Sequence, residues 1–108
     1  MVTITILYPN KEGGRFDADY YINEHMPMTI AKFGDVLKGV NISLGLSAGR
    51  PGSTAPFVAI CQLLFESQEA FEQKFKVISA GLIADMPNYT DIDIIFQMGD
   101  AKIVKAPV

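Results

Sequence analysis

The stretch Arg15 to Met28, RFDADYYINEHMPM, holds the only histidine of the chain, His25, two residues before Pro27, with Tyr20, Tyr21 and Glu24 in the same two helical turns. An imidazole titrates near neutrality and a phenol hydroxyl both donates and accepts. His25 helped by Tyr20 or Tyr21 is therefore suited to move a proton to or from an enolisable or phenolic substrate. Tyr21, His25 and Met28 follow at i, i+4 and i+7, along one side of a helix, with Tyr20 and Glu24 on the adjacent stripe. Pro27 cannot donate to the Asn23 carbonyl and disfavours helical angles at Met26. The spacing thus predicts a helix broken beside His25, which then faces a cavity, and a second short helix from Met28 towards Phe33. The plain alternative is a structural histidine capping the kink, with each tyrosine packed through its ring and showing only a hydroxyl to the cavity edge.

Other chemistry is poorly supported. One histidine and one cysteine, Cys61, give no metal-ligand spacing. The glycine-rich GLSAGRPG does not lie between a strand and the N-terminus of a crossover helix, so it fails as a phosphate-binding fingerprint. No metal, flavin or nicotinamide is expected, while a haem iron held by the single histidine stays open. Cys61, within FVAICQLLF, reads as a buried thiol with a raised pKa. Asp19, Glu24, Asp91 and Asp93 read as solvated charge and are assigned no chemistry.

The elements that must position His25 follow from periodicity. VTITILY alternates with a period of two and predicts a strand; PNKEGGR turns the chain; Asp17 is the expected N-cap of a helix starting near Ala18, with Phe16 stapled against Tyr21. Val36 to Leu46 alternates and predicts a second strand, and FVAICQLLF, apolar on both sides, predicts a central one. Ser67 caps a helix whose Phe71, Phe75, Ile78 and Leu82 form one stripe, and Pro87 ends it. DIDIIFQM alternates Ile92, Ile94, Phe96 and Met98 into a last strand, with Lys102 to Val104 as a short extension. The order β-α-β-β-α-β is that of a ferredoxin-like plait, an α+β fold with two helices on one face of a four-stranded antiparallel sheet. Residues 1–108 are expected to form one domain.

The open face of such a sheet, with Leu7, Leu37 and Ile95 added to the apolar third strand, is too apolar to stand in water. A homodimer closed through it is expected, in keeping with a chain that is 49% hydrophobic and 19% charged. The net charge of −3, without a basic stripe, argues against nucleic acid, and no apolar run is long enough to cross a bilayer. The start MVTITILYPN lacks a basic leader, so the expected location is cytoplasmic.

Taken together, ILYPNKEGGRFDADYYINEHMPM, PFVAICQLLFES, AFEQKF and ADMPNYTDIDIIFQM resemble the EthD family over nearly the whole chain. The F-D-x-x-Y-Y-x-x-x-H-x-P pattern, supported by P-N-Y-T before the last strand, is fairly specific. The resemblance implies a dimeric α+β barrel. The family takes its name from a protein of an ethyl tert-butyl ether degradation cluster that accompanies a cytochrome P450 system, and its members are often labelled reductases. Related barrels include cofactor-free monooxygenases, lactone isomerases and polyketide cyclases, several with a histidine or tyrosine in the cavity between helices and sheet. By that likeness His25, Tyr20 and Tyr21 occupy catalytic positions, and Asn88 and Tyr89 lie at the cavity mouth and contact ligand with Met28. The implied function is binding of a small hydrophobic or aromatic metabolite, with cofactor-independent acid/base chemistry or an accessory role in oxidative degradation. A non-catalytic carrier of such a ligand is the alternative, and a haem-binding barrel a third reading.

Overall fold

A computed structural model describes residues 1–105. The chain forms β1 (Val2–Pro9), α1 (Ala18–Tyr20), a π-helical turn (Tyr21–His25), α2 (Met26–Phe33), β2 (Leu37–Leu44), β3 (Phe57–Phe65), α3 (Gln68–Asp85) and β4 (Ile95–Asp100). Short 3₁₀ turns, Gly34–Val36 and Met86–Asn88, follow α2 and α3. The strands lie in the order β2-β3-β1-β4, each antiparallel to its neighbours, which is the split βαβ topology expected from the sequence.

The register sorts the side chains into two faces. Ile4 pairs with Leu63, Ile6 with Cys61 and Tyr8 with Ala59, and these residues face the helices. They pack with Phe65 of β3, with Tyr21, Met26 and Phe33 of the first helical segment and with Phe71 and Leu82 of α3, all buried except the half-buried Ile6. Phe33, Phe65 and Phe71 form an edge-to-face and stacked trio with ring centroids 5.0 to 6.1 Å apart.

Local signals did what their chemistry requires. The Asp17 carboxylate accepts from the Tyr20 backbone N–H at 3.0 Å, and the Phe16 ring lies 5.0 Å from Tyr21. Ser67 caps α3 by accepting from Ala70 N–H at 3.1 Å. Gly34, with φ +62°, closes α2 in the left-handed region that only glycine enters without cost. Pro87 sits in the 3₁₀ turn that ends α3.

Several expectations are corrected. Pro27 does not break the helix: Met26 keeps helical angles, φ −70° and ψ −41°, and its N–H bonds to the Tyr21 carbonyl five residues back. The widened turn shifts the hydrogen-bond ladder by one residue, and Pro27 falls in the first turn of α2, where no N–H is required. Leu37 belongs to the covered face, opposite Phe65, because an irregularity between Leu37 and Gly39 shifts the register of β2. The last strand begins only at Ile95, and Lys102 to Val104 form no regular structure. Among the described residues no helix is long and apolar enough to cross a membrane.

Candidate active site

The π-helical turn and the end of α3 place two side chains together. His25 Nδ1 lies 2.8 Å from Asp85 Oδ2, with the imidazole side chain 7% and the carboxylate 16% exposed. The other carboxylate oxygen, Oδ1, accepts from the Tyr20 hydroxyl at 2.8 Å and from Asn88 Nδ2 at 2.9 Å. Partial burial alone would hinder ionisation of Asp85, but the hydrogen bonds from His25, Asn88 and Tyr20 outweigh it and hold the carboxyl below its usual range. An ionised carboxylate only accepts, so Nδ1 carries the proton. Nε2 has no hydrogen-bond partner among the described residues.

Aromatic rings enclose the imidazole. Tyr21 stacks on it at 5.9 Å and Tyr89 approaches to 4.5 Å, while Tyr8, Phe16, Tyr21 and Tyr89 contact one another at 5.0 to 6.2 Å. Tyr8 and Tyr89 share a hydrogen bond of 2.9 Å between their hydroxyls. The Tyr21 hydroxyl, fully buried, lies near the Cys61 thiol and the Tyr8 hydroxyl but meets neither with hydrogen-bond geometry. Burial drives the phenols of Tyr8, Tyr21 and Tyr89 well above their ordinary range and pushes the Cys61 thiol up to about 11, so all four stay protonated. The Tyr20 phenol is raised chiefly because it donates to Asp85.

Of the sequence-derived candidates, His25, Tyr20, Tyr21, Asn88 and Tyr89 are brought together. Met28 is not part of this polar cluster and packs against the hydrophobic core. His25 is buried, 6% exposed. The two cavities that stand out lie elsewhere: one of about 430 Å³ between the end of β2 and the start of β3, the other of about 530 Å³ on the open sheet face.

The residue that sequence reasoning missed is Asp85. One signal was present: a carboxylate in the last turn of a helix opposes the macrodipole, so its position calls for a compensating partner. Arg15 was missed as well. Its guanidinium donates to the Pro87 carbonyl at 2.6 Å, its N–H to Asp91 Oδ1 at 2.7 Å, and its carbonyl accepts from Thr90 Oγ1 at 2.7 Å. With the Asp17 N–H bonded to the Tyr89 carbonyl at 2.7 Å, these contacts staple the segment carrying Asn88 and Tyr89 to the entry of α1.

Neither a family model nor a curated protein matches the chain. Among solved structures, an EthD-like protein from Ralstonia eutropha JMP134 superposes with a TM-score of 0.91 at 31% identity, over 97% of this chain and 95% of that one. The chain belongs to the EthD family. A second EthD family protein, from Bacillus halodurans C-125, superposes at 0.64 with 18% identity, over 93% of this chain and 97% of that one. A dimeric ferredoxin-like protein from an uncultured marine organism superposes at 0.55 with 12% identity, over 99% and 97%. At those identities the last two share the fold alone. In this EthD chain the motif that carried the resemblance is the run that builds the cluster: Phe16 and Asp17 enter the helix, Tyr20 reaches Asp85, Tyr21 stacks on His25, and Pro27 follows the π-turn.

Proposed function

We propose that this chain is a cofactor-independent acid/base protein for a small hydrophobic or aromatic metabolite, with His25 as the proton-transferring group and Asp85 fixing its tautomer. The observation that carries this reading is the 2.8 Å contact between His25 Nδ1 and Asp85 Oδ2, which leaves Nε2 without a partner among the described residues. Proton abstraction at Nε2 would build positive charge on the imidazole, and the ionised Asp85 beside it stabilises that charge. Tyr20 and Asn88 hold the carboxylate from its other side, so the Tyr20 proton is committed to Asp85 and not to substrate. Tyr21 and Tyr89, both fully buried, hold the imidazole from within, so the substrate class, an enolisable ketone or a phenol, is inferred from the proton-transfer chemistry of Nε2. The reading also includes a homodimer covering the open sheet face, supported by the half-exposed Ile95 of β4 and by fold likeness to the dimeric ferredoxin-like protein.

Because His25 is the only histidine, its imidazole protons are unambiguous in an NMR spectrum. Titration with a panel of aromatic ketones and phenols in deuterated water should shift those resonances, and the protein should catalyse deuterium uptake beside the ketone carbonyl. Asp85→Asn should slow uptake by about 100-fold or more. Shifts without exchange would favour a carrier. A panel giving neither shift nor exchange would end the reading.

A further inference from the structure

The open face of the sheet is not uniformly apolar. Asn41 pairs with Gln62 across β2 and β3, Gln62 with Thr5 across β3 and β1, and Thr5 with Gln97 across β1 and β4. Thr5 alternates with the buried Ile4, so this row points away from the helices. One uncharged polar row, Asn41–Gln62–Thr5–Gln97, therefore crosses all four strands in register. On one side runs the row Ser43, Ile60, Leu7 and Ile95, and on the other Gly39, Leu64, Thr3 and Gly99. Ile103 and Val104, 93% and 53% exposed, line the groove over the second of these flanking rows.

We propose that the Asn41–Gln62–Thr5–Gln97 row is the recognition element of a homodimer interface and pairs with the same row of a second copy. The inference rests on the reading that a second copy covers this face. A carboxamide is donor and acceptor at once, and a threonine hydroxyl likewise, so the row is complementary to itself without any change of charge. A two-fold axis between the facing sheets, whether along the strands or along the row, lays the row on its own copy. In the first orientation Gln62 meets Thr5 of the second copy; in the second, Gln62 meets Gln62. The flanking Ile60, Leu7, Ile95 and Leu64 supply the apolar area, and Ile103 and Val104 are buried at its margin. A partner of different sequence would have to match four neutral polar groups in register, which a second copy does by symmetry. A slide of two residues along the strands, the spacing of rows on one face, would set these polar groups against the row Ser43, Ile60, Leu7 and Ile95, so the row also fixes the register of the two sheets.

The test is sedimentation equilibrium of the wild type, Gln62→Glu and a control, Val77→Glu, at pH 7 and pH 5. Val77 lies on α3, on the far side of the sheet, and is 74% exposed. Val77→Glu should melt within a few degrees of the wild type, and Gln62→Glu should keep the wild-type circular dichroism spectrum, since both residues are exposed in the protomer. The expected result is a wild-type and Val77→Glu dimer, and a Gln62→Glu protein whose dissociation constant at pH 7 rises about 10-fold or more. Its association should recover towards pH 5, where a carboxyl in a closed interface regains its proton and its donor. A monomeric wild type would overturn the covering of the face and this inference with it. A wild-type dimer that Gln62→Glu leaves intact at pH 7 would overturn the inference alone.

Discussion

Asp85, the last residue of α3, accepts from His25 Nδ1 at 2.8 Å although 60 positions separate the two in the chain. A carboxylate at a helix C-terminus works against the macrodipole by roughly 0.3 to 1 kcal/mol. Donors from His25, Tyr20 and Asn88 offset that cost and tie the end of α3 to the π-turn, so one residue serves both the fold and the candidate chemistry.

Acid should reveal this contact. Asp85 ionises more readily in the fold than in an unfolded chain, so its contribution is fully present above the unfolded carboxyl value near ~3.9 and is lost as pH falls through the lower folded value. Thermal melts of wild type and Asp85→Asn should differ most from pH 5 upwards, with the gap closing below pH 4. A gap that persists undiminished at low pH would assign the difference to packing and not to charge.

The pair should also be coupled energetically. A double-mutant cycle with His25→Ala and Asp85→Asn, read by urea denaturation, should return a coupling of about 1 to 2 kcal/mol, the lower part of the range for hydrogen bonds to charged groups because the carboxylate is partly solvated. Additivity within experimental error would mean that the contact does not persist in solution.

Core truncations separate two phenylalanines that share the same helical stripe. Phe71 is 4% exposed and packs on Phe33 and Phe65, whereas Phe75, stacked on Phe71 at 5.0 Å, is only half-buried beside the exposed Phe96. The loss of about 3 to 5 kcal/mol expected for a fully buried phenylalanine belongs to Phe71→Ala, and Phe75→Ala should cost clearly less. Equal losses in denaturant midpoints at constant slope would contradict this burial pattern.

What could be read from the sequence was local. Alternation in VTITILY, the Ser67 cap and the Phe71 to Leu82 stripe depend on neighbours one to four residues apart, and all three reappear in the structure. The Asp17 cap and the Phe16–Tyr21 contact are of the same kind. What escaped needs either register or distant pairing. Leu37 changes face because of an irregularity in β2, the polar row exists only once three strand pairings are fixed, and Asp85 meets His25 only when α3 has crossed the sheet. The break expected at Pro27 failed because a helix can absorb a proline by widening one turn, which proline restrictions do not encode.

The last prediction concerns Tyr21, whose hydroxyl is buried with no hydrogen-bond partner among the described residues. An unpaired buried hydroxyl costs about 1 to 3 kcal/mol, and phenylalanine keeps the ring contacts with Tyr8, Phe16, His25 and Tyr89 while removing the unpaired atom. Tyr21→Phe should therefore leave stability unchanged or raise it by about 1 kcal/mol. Tyr8→Phe should act in the opposite sense, because it removes a 2.9 Å hydrogen bond and strands the Tyr89 hydroxyl, at a cost of about 1 kcal/mol or more. The comparison is informative because both substitutions delete one oxygen from the same cluster. Urea denaturation of the two variants decides between them. If Tyr21→Phe proves as costly as Tyr8→Phe, the Tyr21 hydroxyl has a partner in solution, such as an internal water bridging it to Cys61 or Tyr8, and the cluster is satisfied throughout.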